Sequence, residues 1–280
     1  MKILRPIGEL HGQLPENGFV AYTDDAHLDV PVGAASVRPF FTEQLFPDRP
    51  LNLLIRLEGN TESYDALMGA AFARCRMIQS EYPNLASRVY AECDPENLSL
   101  IRYMASWGLM KDDSVLRLYT DLDDGPARFA KPAGCELQMD RLQDPLQAQQ
   151  FLDYYNRLFS RRYGQEWLDR LRTLPNFARF RLLSPEGVAG ELLTYSYTRY
   201  AIIYTLFTVP RWQKRHVASF MLDSARTYWR NLELIGAYAD VWERLKPAMA
   251  LFQRAGYRID YPVIAYPGAN EPPFSNRIQS

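Results

Sequence analysis

The sequence predicts an α/β (α+β) protein of two lobes, each a mixed, mostly antiparallel sheet flanked by helices, and three observations carry that expectation. Segments with alternating apolar residues interleave with segments of helical apolar spacing along the whole chain. A stretch crowded with Asp121, Asp123, Asp124, Gly125, Pro126, Pro132 and Gly134 separates two such patterned regions. Both regions close alike, a helix stopped by a glycine and a large apolar residue before a strand: Ser106-Trp107-Gly108-Leu109 in one, Arg254-Ala255-Gly256-Tyr257 in the other.

In the second region, strands are expected at 136–142, 176–183, 188–197, 201–209, 235–241 and 258–265. Helices are expected at 145–160, where Phe151, Tyr154, Tyr155 and Leu158 share a face, and at 165–171, 217–231 and 247–254. Pro185-Glu186-Gly187 marks a turn inside an antiparallel meander, and Pro210 stops its last strand. The helix after it should join that strand to a parallel neighbour. The first region repeats the later part of this order: strands at 18–22, 34–41 and 51–58, a helix at 64–81, a strand at 87–92, a helix at 96–106 and a strand at 115–119. This gives two domains, 1–125 and 134–280.

Composition excludes several classes of function. With 32 Lys plus Arg against 33 Asp plus Glu, no global positive field attracts nucleic acid or an anionic membrane surface. The start, Met1 to Pro6, runs straight into polar residues, and no stretch has the length of apolar residues that spans a bilayer, so a cytoplasmic protein is expected. Cys75, Cys93 and Cys135 are widely spaced, and only His11, His27 and His216 accompany them, so no metal site is expected.

The chemistry concentrates at the strand-to-helix junction Val209 to Leu222. A helix amino terminus there leaves amides pointing outward, and its dipole favours an anion. Gln213, Lys214 and Arg215 add donors and charge, and the small Ala218 and Ser219 permit close approach to the backbone. A basic, solvated helix start is the competing reading of these residues.

This junction resembles the acyl-CoA-binding motif of the GNAT superfamily of N-acyltransferases, Gln/Arg-x-x-Gly-x-Gly/Ala, after a strand ending in Val-x-Pro. The matching residues are Val209, Pro210, Gln213, Val217, Ala218, Met221 and Leu222, with His216 in place of the first glycine. A second element, Pro247, Ala248, Leu251, Gly256 and Tyr257, resembles the family's late helix, with Leu245 in place of an Asn and Phe252 in place of the Tyr that protonates the leaving thiolate. The resemblance covers 134–267 and makes the first region a degenerate copy of the same fold. There the corresponding junction, Glu58 to Tyr64, carries carboxylates and should hold no CoA.

The resemblance implies acetyl-CoA as co-substrate and direct attack of a primary amine, of a small molecule or peptide, on the thioester. Backbone amides of Leu206, Phe207, Thr208 and Val209 would hold pantetheine and thioester oxygen. Gln213, Lys214, Arg215, His216, Val217, Ala218 and Ser219 would hold the pyrophosphate. Glu191 is the only carboxylate on the central strands and is the candidate base, with Tyr204 as an alternative proton exit; an ion-paired strand residue is the competing reading of Glu191. Tyr154, Tyr155, Phe159, Tyr163 and Trp167 are candidates for an acceptor pocket or for core packing. A homodimer is compatible with the resemblance. Two alternatives stay open: a non-catalytic acyl-CoA-binding or assembly protein, and a tandem transferase with a larger acyl donor.

Overall fold

The computed structural model describes residues 1–23, 30–43, 46–122, 129–159 and 162–271, without the side chain of Phe159. His27 and the linker residues Asp123, Asp124, Gly125 and Pro126 lie outside them. The chain forms two compact units, Met1–Val115 with Pro262–Ser280, and Leu116–Tyr261. The expected domains, 1–125 and 134–280, place the carboxyl-terminal residues differently: those from Pro262 onward group with the first unit.

The elements, in order, are β1 (Lys2–Leu4), β2 (Gly18–Tyr22), β3 (Gly33–Phe41), β4 (Leu51–Gly59), α1 (Thr61–Glu81), β5 (Ser87–Ala91), α2 (Leu98–Ser106) and β6 (Met110–Asp121). There follow β7 (Glu136–Asp140), α3 (Pro145–Phe159), α4 (Gln165–Arg172), β8 (Ala178–Ser184), β9 (Gly187–Tyr197), β10 (Tyr200–Thr208), α5 (Val217–Asn231), β11 (Gly236–Trp242), α6 (Lys246–Arg254) and β12 (Arg258–Glu271).

In the first unit β1 to β4 pair antiparallel in sequence order, and β4 pairs parallel with β5 across α1. Gly268–Glu271 of β12 pair antiparallel with β5. The strand expected to end at 265 continues through Pro267-Gly268 to Glu271. A Cβ on Gly268 would sit 3.0 Å from the Tyr90 Cβ and 3.2 Å from the Val89 carbonyl, so the glycine permits close strand approach. That is why β12 runs past Ala265 and why its end groups with the first unit. Strand β6 likewise starts at Met110, before the expected Val115. Asp112 there is not loop-forming charge: it pairs with Arg49 at 3.1 Å and with Arg88, both guanidinium groups being buried.

In the second unit β7, β8, β9 and β10 form the antiparallel meander, and β10 pairs parallel with β11 across α5. Side chains alternate between the two faces of these strands. One face packs Ala189, Leu192, Ala201 and Ala237 under α5 and α6 through Val217, Met221, Ala225, Trp229 and Phe252. The other places Leu193 under α3 and α4 with Phe151, Leu152, Tyr155, Leu168 and Leu171. Trp229, 2% exposed, donates Nε1–H to Thr194 Oγ1 at 3.1 Å, and Thr194 donates to the Ile202 carbonyl, which pins α5 to β9 and β10.

Candidate functional site

The site grows from one discontinuity in the second unit. The parallel ladder of β10 with β11 stops at Ile203↔Ala239, while β10 continues to Thr208 and β11 to Trp242. On its other side β10 stays paired with β9 through Thr208↔Gly190, apart from a register shift between Ile203 and Thr205 that leaves Tyr204 as a bulged residue. Over Thr205 to Thr208 backbone groups on the β11 side of β10 therefore lack a ladder among the described residues, and alternate amides point into the opening wedge. Leu206, Phe207, Thr208 and Val209 all lie along this stretch.

The wedge ends on the amino terminus of α5. Pro210–Trp212 form a single 3-10 turn, and His216, the residue before the helix, has φ 60 and ψ 13 and offers no side-chain cap. Phe220 N–H is the first amide bonded back to His216 O, so the amides of Val217, Ala218 and Ser219 are not taken up by the helix itself. Side chains of Val217 and Ser219 are buried, leaving only their backbone for a ligand. The left-handed conformation costs a non-glycine residue roughly 1–2 kcal/mol, which supplies a physical reason for glycine in the matching motif. Lys214, also left-handed at φ 60, and Arg215 are exposed. Arg215 lies over the Trp212 ring at 5.2 Å, whereas Arg211 is bound to Glu186 by an ion pair of 2.8 Å.

Gly190, unremarked in the sequence, lets this junction form. A Cβ there would lie 2.7 Å from Val217 Cγ1 and 2.9 Å from the Phe207 carbonyl, so only glycine admits the start of α5 this close to β9 and β10. A cleft of about 420 Å³ beside the junction is lined by Tyr154, Val188, Val209, Pro210 and Arg211.

Glu191 lies on β9 between Arg181 of β8 and Phe207 of β10. It is 1% exposed, its Oε1 has no hydrogen-bond partner, and the nearest cation, Arg179 Nη1, is 4.0 Å from its Oε2. Arg179 binds Asp140 more closely, at 2.7 Å, and Arg181 approaches the same carboxylate at 3.2 Å. Burial pushes the Glu191 carboxyl up to about 7, against the lowering pull of Arg179 and Arg181. Glu191 is thus neither a solvated strand residue nor a tightly paired one.

Tyr204, at the bulge, is 40% exposed and accepts a hydrogen bond from Trp167 Nε1 at 3.3 Å. Burial raises its phenol above the ordinary value, partly offset by that bond. Trp167 stacks on Tyr163 with ring centroids 4.2 Å apart, and Asn156 clamps the Tyr163 backbone through two hydrogen bonds. Of the aromatic candidates, Tyr154 faces the cleft and Phe207, Tyr155 packs in the core, and Tyr163, Trp167 and Tyr204 form a half-buried group. Phe252 is 5% exposed and packs edge-on against Tyr257, inside the core under α6.

Solved structures that match over nearly the whole chain share this arrangement of strands and helices. A GCN5-related N-acetyltransferase from Sphaerobacter thermophilus superposes with TM-score 0.53 at 14% identity, covering 93% of this chain and 82% of that one. The chain has the GNAT fold. A probable N-acyltransferase from Enterococcus faecalis V583 superposes with TM-score 0.54 at 13% identity, covering 90% of this chain and 62% of that one. No family model and no curated protein sequence matches. In GNAT terms, β7 to β12 with α3 to α6 follow the expected strand and helix order in full. Among the described residues no helix is long and apolar enough to cross a membrane, and no group of His, Cys, Asp and Glu is placed to hold a metal ion.

Proposed function

We propose that the second unit is an N-acyltransferase that uses acetyl-CoA and acylates a primary amine of a small molecule or peptide by direct attack. One observation carries this reading: β10 outruns its ladder with β11 and passes, through the turn at Pro210–Trp212, into the uncapped amino terminus of α5. An extended donor with an anionic end fits that path. Amides of Val217, Ala218 and Ser219, with Gln213, Lys214 and Arg215, hold the pyrophosphate. Amides between Leu206 and Val209 hold the pantetheine arm and the thioester oxygen, and their fixed dipoles stabilise the charge that develops there. Glu191 takes up the proton that the amine sheds, and Tyr204 opens the way out for it. The leaving thiolate, with a pKa near the 8.5 typical of a thiol, departs with little protonation, which suits a site where Phe252 stands in for the usual acid.

The first unit is, in this reading, a degenerate copy that serves as scaffold. Its α1 begins with Glu62 in the first turn, a carboxylate that repels a pyrophosphate. The burial of Phe252 favours one competing reading, a GNAT fold that binds acyl-CoA without turning it over. Two measurements decide. Calorimetric titration of acetyl-CoA into the protein and into the Lys214→Glu/Arg215→Glu double variant should show binding lost in the variant; equal affinity removes the assignment of the α5 junction. Release of CoA thiol over a panel of amines should exceed hydrolysis for at least one acceptor. Binding with no release above hydrolysis selects the non-catalytic reading.

A further inference from the structure

The first unit carries a cluster of buried charge on the sheet face opposite α1 and α2. Val89 and Ala91 of β5 pack with Ala71 and Cys75 of α1 and Met104 of α2, so Arg88 and Tyr90 point to the other face. Arg88 is 0% exposed and stands directly opposite Asn52 of β4 and Asn270 of β12. Its guanidinium lies over the Tyr90 ring at 4.0 Å and the Phe46 ring at 4.7 Å, contacts made through its flat face that leave its N–H edges to polar partners. Its Nε donates to Asp112, and Arg49, 3% exposed, reaches the same carboxylate at 3.1 Å from the loop before β4. Beyond that carboxylate, Nη1 and Nη2 of Arg88 and Nε and Nη1 of Arg49 are buried without a hydrogen-bond partner. Two buried cations thus share one carboxylate, and an unpaired guanidinium edge out of water is costly because the group keeps its charge. Neighbouring groups do not make up the difference. Asp48 is 3.8 Å from Arg49 Nε but its side chain is 69% exposed, Glu92 is exposed, and Asp113 accepts the Ser114 amide at 2.9 Å. Burial raises the Tyr90 phenol and pushes that of Tyr266 up to about 12, so neither ring supplies a phenolate.

We propose that the first unit binds a small monocarboxylate at this cluster, its two oxygens accepting from Nη1 and Nη2 of Arg88 and from Nη1 of Arg49. A planar carboxylate matches the fork of donors on a guanidinium edge. One negative charge added to Asp112 balances the two cations, whereas a phosphate dianion would leave an excess of buried negative charge. Rings of Phe46, Tyr90 and Tyr266, the last 6.0 Å from the Arg88 guanidinium, suit a short apolar body on the acid. Two further residues shape the site. Asn52 donates to the Arg49 and Pro50 carbonyls at 3.2 and 3.1 Å, which fixes the loop that carries Arg49. At Gly268 a Cβ would lie 3.1 Å from Asp112 Oδ2, so the glycine leaves room for the carboxylate that orients both arginines. Asn270, beside Arg88, is exposed and puts the border of the cluster within reach of solvent. This binding is independent of acyl-CoA and gives the first unit a ligand of its own.

Thermal melts of the full chain in sodium acetate, phosphate and fluoride, at one pH and one ionic strength, test the site, with fluoride as the strongly hydrated reference. Acetate should raise the wild-type midpoint along a saturable curve, above both other salts. Arg88→Lys keeps the charge but loses the fork, and should weaken the apparent acetate affinity about tenfold or more. The Lys214→Glu/Arg215→Glu variant, altered in the other unit, should respond to acetate as wild type does, so this site and the acyl-CoA site fail separately. Ligand-observed NMR on wild type gives a second readout: irradiating the aromatic protons of the protein should transfer saturation to the acetate methyl group, which the ring walls bring close. No saturable rise above fluoride, or no saturation transfer, means that water completes the guanidinium edges and overturns the site. An Arg88→Lys response equal to wild type overturns the assignment of the residues, and a larger saturable response to phosphate overturns the ligand class. Should Arg88→Lys fail to fold, Arg49→Lys takes its place with the same expected loss, and a response equal to wild type again overturns the site.

Discussion

Replacing Glu191 with Gln should make the protein more stable and less active at once. Folding raises this carboxyl from 4.5 to about 7 because burial disfavours its charge more than Arg179 and Arg181 favour it. Between those values the folded state holds a proton that the unfolded chain has released. Stability from this group is therefore fully present below about pH 4.5, falls as pH rises through the window, and is gone above about pH 8. The gap corresponds to about 3 kcal/mol at 1.36 kcal/mol for each pH unit. Gln removes the charge that must be buried, and Arg179 keeps its bond to Asp140 at 2.7 Å, so no cation is stranded. Urea unfolding at pH 5 and pH 8.5 checks this: the Gln variant should gain about 1–3 kcal/mol on wild type at pH 8.5 and little at pH 5. In the release assay the same variant should lose roughly 10² in turnover, as expected for a general base. A wild-type stability that does not fall relative to the variant between the two pH values would refute the argument from burial. Unaltered turnover would refute the role.

Two further substitutions probe the α5 junction. His216→Gly relieves a left-handed non-glycine residue worth about 1 kcal/mol and widens the phosphate cradle; it should raise the unfolding midpoint and tighten acetyl-CoA binding severalfold, and a lower midpoint in urea would contradict the strain. Gly190→Ala forces a methyl group into the Phe207 carbonyl and Val217, both within 2.9 Å; it should cost about 1–3 kcal/mol and weaken acetyl-CoA binding by displacing the start of α5, which thermal melts with and without ligand would reveal.

The local chemistry of the chain was enough to place almost every helix and strand of the second unit, because alternation, helical spacing and the punctuation of Pro185-Glu186-Gly187 and Pro210 act over a few residues. The junction from Val209 to Ser219 was legible for the same reason: its donors and its helix start are contiguous. Strand lengths depending on distant partners were not legible. The strand expected to start at 115 starts at Met110, where Arg49 and Arg88, far away in sequence, neutralise Asp112, and the strand expected to end at 265 runs on to Glu271, where Gly268 lies against Tyr90. Glu191 could be named from sequence as the carboxylate on a central strand. Its lack of a close partner and its place opposite Phe207 arise only when α3 and β8 close over β9. Gly190 carries no local signal, since what it avoids is the carbonyl of Phe207 and the side chain of Val217, brought beside it by the β9–β10 pairing and by α5. Sequence thus determined which groups exist and which element bears each; desolvation and close approach, which set what those groups can do, belong to the packed structure alone.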